Sequence, residues 1–201
     1  MIVYLHGLNS AGSSFKAARL REALAPVEVI SPTYPVQSPR QAVTTLETVL
    51  KEPVEDARAH SRPRVLVGSS MGGFYGAWLA ARLGFQHLAM INPALRPWEL
   101  LQTVEGWQYN QALDERYYLS AEMVAATRDY ASEPARIGLP VTLLLDRDDE
   151  LIDARLALED YGDIAKIHLF EGGSHAFDHM DEAVEIIGAL HRALLRGGHP
   201  T

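Results

Sequence analysis

Residues 67–73 read VGSSMGG, two serines set among glycines where an apolar run gives way to a segment of helical character. Gly68-Ser69-Ser70-Met71-Gly72 satisfies the pattern G-x-S-x-G. Between a strand and a helix, that pattern predicts a sharp turn that presents its middle serine as a nucleophile. Such a turn holds its central residue in a sparsely populated backbone region, at a cost of roughly 1–3 kcal/mol. Side chains two positions before and after would collide, which accounts for both glycines. Counting from Gly68 and Gly72 leaves only Ser70 midway, so Ser69 is the weaker candidate. The plainer alternative is a glycine-rich packing turn, with Gly72 and Gly76 letting a helix lie close on a sheet.

Working outward, short runs rich in Val, Ile and Leu recur at 2–5, 27–31, 64–68, 87–91, 141–146 and 166–170. Most are unbroken rather than alternating, as expected of strands buried on both faces. Helical segments separate them. Ala17, Leu20 and Leu24 share one face. Ser38-Pro39-Arg40-Gln41 suggests a capping box with Pro39 in the first turn, and Pro53 is expected to break or kink the helix that follows. A helix from about Met71 should stop at Gly84, and Met180, Ala183, Val184, Ile187, Leu190 and Leu194 form the stripe of a last one. This alternation predicts an α/β fold with about six mostly parallel strands flanked by helices. The 201 residues then make a single domain, 1–201.

One segment breaks the rhythm. Residues 93–137 place about 45 residues between two strands, far beyond an ordinary connection. They carry Trp98, Trp107, Tyr109, Tyr117, Tyr118 and Tyr130, and a helical cap or lid over a site is the favoured reading.

Composition narrows the partners. A net charge of −8 without a basic stripe argues against nucleic acid and anionic membrane surfaces. No apolar run approaches the roughly 18 residues of a membrane span, and the start "MIVYLHG" has no export leader. The absence of cysteine excludes thiolate nucleophiles and disulfides, and fits a cytoplasmic location. Nothing implies a bound cofactor or metal, and the oligomeric state is open.

A nucleophilic serine needs a base and a group that orients the base. In this architecture the chain order is Ser, acid, His. After the insertion, "LLLDRDDELID" offers Asp146, Asp148, Asp149, Glu150 and Asp153. Asp149 in the turn is preferred, Asp148 is its rival, and Asp153 is expected to cap the next helix. After the last strand, "EGGSHAF" supplies His175 as the base. Of eight histidines, His87 and His168 fall in strands, His60 and His199 in polar or terminal stretches, and His191 on a helix face expected to be solvated. His179 could pair with His175 on a metal, a minor alternative. The oxyanion hole should combine the amide of Met71 with that of Leu8 in "YLHGLNSAG", where His6 reads as a loop brace.

Taken in order, "YLHGLNS", "LVGSSMGGFYG", "INPALRP", "DDELID" and "EGGSHAF" resemble the YqiA-like esterases of the α/β-hydrolase superfamily over nearly the full length. The resemblance implies an esterase acting on a small-molecule ester, with a triad of Ser70, Asp149 and His175. This chain departs from the family in having Asp148 where glycine is usual, Met71 for leucine, and Ser174 where Asp often precedes the histidine. The expected activity is hydrolysis of carboxylic esters or thioesters through an acyl-enzyme. Acyl transfer or amide or lactone hydrolysis by the same triad, and a non-catalytic binding protein of this fold, are the competing readings.

Overall fold

The computed structural model describes residues 1–198, so His199 lies outside the described residues. The elements run β1 (Ile2–Leu5), α1 (Phe15–Ala23), β2 (Val29–Ile30), α2 (Pro39–Ala59), β3 (Val65–Ser69), α3 (Met71–Leu83) and β4 (His87–Ile91). Then come α4 (Pro97–Leu100), β5 (Gly106–Asn110), β6 (Glu115–Leu119), α5 (Ala121–Ala126), β7 (Val141–Asp146), α6 (Ala154–Tyr161), β8 (Ala165–Phe170) and α7 (Met180–Leu195).

Six strands form one sheet in the order β2-β1-β3-β4-β7-β8, every neighbouring pair parallel. Successive side chains of a strand point to opposite faces. Val3, Leu5, Leu66, Leu88 and Met90 therefore join one core with α2 and α3. Ile2, Tyr4, Val65, Val67 and Ala89 join the other with α1 and α7. Both faces being covered explains the unbroken apolar runs. His87, wedged among these strands, contacts Thr142 Oγ1 through Nε2 at 2.9 Å, and burial pulls its pKa down to about 4, so the ring is held neutral.

Several expectations need correction. The strand expected at 27–31 is only Val29–Ile30. Ser38 makes no capping hydrogen bond to α2, although Pro39 does open the helix. Pro53 neither breaks nor ends α2, which continues to Ala59. The carbonyl that Pro53 leaves without a helical donor belongs to Val49, an exposed residue. Leu50, Val54 and Ala57, all buried, anchor the helix on both sides of the proline. His191 is buried rather than solvated, with Nε2 3.3 Å from the Met1 amine.

The insertion 93–137 is not helical throughout. Its centre is an antiparallel hairpin, β5 paired with β6 from Gly106↔Leu119 to Asn110↔Glu115, framed by α4, α5 and short 3-10 turns. Among the described residues no helix is long and apolar enough to cross a membrane.

Candidate active site

All six sheet strands run the same way, so their carboxyl ends collect at one edge, where open α/β sheets build their sites. The central strand β3 ends there in Ser69, and Ser70 follows at φ 54°, ψ −121°, immediately before α3. A non-glycine residue at positive φ is strained, and backbone hydrogen bonds hold it. The Ser70 amide donates to the Ile91 carbonyl at 3.0 Å, while its own carbonyl accepts from Gly73 at 2.9 Å and Ala94 at 3.1 Å. The flanking glycines are obligatory on steric grounds. A Cβ on Gly68 would overlap the Gly72 carbonyl, and one on Gly72 would overlap the Leu5 carbonyl. Ser69, by contrast, is buried in the strand.

The Ser70 Oγ lies 3.1 Å from His175 Nε2. On the other side of the ring, Nδ1 lies 2.9 Å from Asp149 Oδ2 and 3.1 Å from Oδ1. A carboxylate only accepts, so Nδ1 carries the proton and Nε2 is left with its lone pair toward the serine hydroxyl. The Asp149 side chain is almost wholly buried, at 2% exposure. Its Oδ1 also accepts from the amides of Leu151 at 2.9 Å and Ile152 at 2.8 Å, which lock the carboxylate in place. Asp148 is exposed and contributes its amide to the Gly172 carbonyl at 3.1 Å. Asp153 caps α6 by accepting from the Arg155 amide. Glu150 accepts from the His175 amide at 2.9 Å, and that bond holds its carboxyl below the usual range.

The remaining carboxylate of the run, Asp146, does something the sequence did not suggest. It has no exposed surface and accepts from the amides of Ser174 at 3.2 Å and Asp178 at 2.7 Å, and from His179 Nδ1 at 2.7 Å. Asn92, at the end of β4, accepts from the Asp146 amide at 2.9 Å and donates to the Ser174 carbonyl at 2.9 Å. The loop that carries His175 is thus clamped to β4 and β7. Gly173, at φ 80°, is required because a Cβ there would enter the Asp146 carboxylate. His179 is turned to Asp146 and stacked on Phe170, its ring 4.7 Å away, rather than paired with His175 on a metal. The sequence signal for this clamp was an aspartate ending an otherwise apolar strand, together with Asn92 ending another. The Ser174 hydroxyl donates to Asp178 Oδ1 at 3.0 Å.

Beside the serine lies a cavity of about 560 Å³ whose wall includes Ser70, His175, Leu8 and Met71. Among the described residues neither the Leu8 nor the Met71 amide has a protein acceptor, and both belong to this wall. His6 is buried, with Nδ1 2.9 Å from the Gly7 carbonyl, and packs on Tyr34, whose hydroxyl donates to the His6 carbonyl at 2.6 Å. Burial lowers its pKa. From the insertion come Leu100, Leu101, Thr103, Val104 and Gln108, so the wall is partly built by the segment between β4 and β7.

The model of the uncharacterised protein family UPF0227 matches residues 1–192. Among solved structures the chain is similar to the esterase Est1E from Butyrivibrio proteoclasticus, at 15% identity with a TM-score of 0.75, covering 97% of this chain and 88% of that one. It is similar also to the monoacylglycerol lipase of Paleococcus ferrophilus, at 17% identity and TM-score 0.70, covering 96% and 94%. A third is an esterase domain from a Rhodothermus marinus protein, at 15% identity and TM-score 0.66, covering 95% and 86%. The fold is that of the α/β hydrolases.

Proposed function

We propose that this chain, which belongs to the UPF0227 (YqiA) family, is a serine esterase that hydrolyses carboxylic esters, thioesters included, through an acyl-enzyme. The observation that carries this reading is the unbroken line of contacts from Ser70 Oγ through His175 to the buried Asp149, at 3.1 and 2.9 Å.

In this reaction Ser70 Oγ attacks the acyl carbon while His175 Nε2 takes its proton. Asp149 holds the imidazole in the tautomer that leaves Nε2 free and stabilises the imidazolium that forms. Negative charge moves to the carbonyl oxygen, where the Leu8 and Met71 amides await it; one such donor is worth about 10²–10³ in rate. His175 then gives its proton to the leaving alcohol or thiol. Water, deprotonated by the same nitrogen, attacks the acyl-enzyme and releases the acid and Ser70. The segment 93–137 acts as the cap whose side chains shape the acyl or alcohol pocket.

A fluorophosphonate probe, which forms a covalent bond with an activated serine, is expected to label Ser70. Ser70→Ala should lose the label and at least about 10⁴ of kcat on an activated short-chain ester. Equal labelling of Ser70→Ala and the unaltered protein would refute the assignment.

A further inference from the structure

Lys16 is the second residue of α1, half-buried, and lines the same cavity as Ser70 and His175. Among the described residues no acceptor lies within hydrogen-bond or ion-pair distance of its ammonium group. The cavity wall holds no Asp or Glu. Other polar side chains of the wall, among them Asn9, Ser10 and Gln108, are neutral.

A half-buried cation with no hydrogen-bonded or ion-paired partner is costly unless something supplies one. Burial lowers the Lys16 pKa and the charge of Asp146 works against that shift, so a neighbouring anion favours the ammonium form. Asp146 is not the missing partner. It already accepts from two amides and from His179, and it belongs to the clamp behind the His175 loop rather than to the cavity wall. The protein as a whole carries a net charge of −8 and repels anions at a distance. A lysine in the cavity wall is the local exception to that field.

We propose that Lys16 docks a carboxylate of the substrate, so that the esters preferred at this site are anionic ones. The inference rests on the esterase reading and adds the substrate's charge to it. A single compact ammonium without a second cation in the wall matches a monoanion better than a phosphate dianion. The charge can sit on the acyl or on the alcohol side of the ester, both of which share the cavity.

The test compares isosteric pairs of aryl esters. One pair sets the half-ester of a dicarboxylic acid against the ester of the matching monocarboxylic acid. The other sets an acyloxybenzoate against the corresponding phenyl ester. Rates are measured for the unaltered protein, Lys16→Met and Lys16→Arg, with fluorophosphonate labelling of Ser70 alongside. The anionic-to-neutral ratio of kcat/KM should fall about ten- to hundredfold in Lys16→Met for at least one pair, through KM rather than kcat, and Lys16→Arg should keep most of it. An unchanged ratio in both pairs overturns the proposal, and so does an equal loss on both members of each pair. Labelling that stays intact while the ratio is unchanged removes Lys16 alone. Failure of the unaltered protein to label or to turn over any ester removes the esterase reading and this inference with it.

Discussion

The turn at 68–72 and the hairpin at 106–119 face one cavity and are built on opposite principles. At the turn, each residue is held by backbone it cannot escape: Gly72 against the Leu5 carbonyl, Gly68 against the Gly72 carbonyl, Ser70 at positive φ between them. In the hairpin, Trp107, Tyr109 and Tyr118 are exposed, and only Gln108 belongs to the cavity wall. Overlap between main-chain atoms is removed only by moving a strand, whereas an exposed ring is replaced at little cost. The first region fixes glycine at 68 and 72, and the second tolerates many side chains.

Four substitutions sharpen that contrast. The largest effect belongs to Asp149→Asn, which keeps the shape of the side chain but presents an N–H to the ring and favours the wrong tautomer. It should lower kcat by about 10³–10⁴, while Asp148→Asn, in the exposed neighbour, should stay within about threefold. Steady-state rates on one activated ester decide between them, and abolition of turnover by the Asp148 change would transfer the orienting role. Next comes Gly72→Ala, whose methyl group has no room beside the Leu5 carbonyl. It should cost about 3 kcal/mol or more and lower the melting temperature by about 6 °C or more. A melt that matches the unaltered protein would mean that the turn yields. The smallest effect is that of Trp107→Ala. This ring meets Tyr118 edge-on at 5.6 Å but is 75% exposed, so its loss should cost under about 1 kcal/mol. A melting point that falls further than that of Gly72→Ala would invert the comparison.

The same contrast governs what could be read from the chain beforehand. The sheet was legible because strands covered on both faces must be apolar at every position, as Val65, Leu66 and Val67 are. Ser70 was legible because its turn admits glycine alone on either side. Choosing Asp149 among five carboxylates used chain order and a turn position. Asp146, in the same run, was not legible as a clamp, because its partners Asn92, Ser174 and His179 come from distant segments that only folding brings together. The hairpin had a signal that aromatic content obscured: 106–110 and 115–119 are two five-residue runs around a four-residue link, and Leu119 and Asn110 bury while their neighbours do not. Lys16 gave no signal at all, since a lysine near a helix start is ordinary until the space beside it is known.

The clamp made by Asn92 and Asp146 also says something about the order in which the molecule becomes reactive. His175 is the last of the three proposed catalytic groups to be synthesised, and its loop has no anchor until strands β4 and β7 exist to receive it. Under the proposal, a nascent polypeptide carries Ser70 without its base until His175 has been made. On the proposed reading, the base reaches Ser70 only when the segment after β8 docks on Asn92 and Asp146.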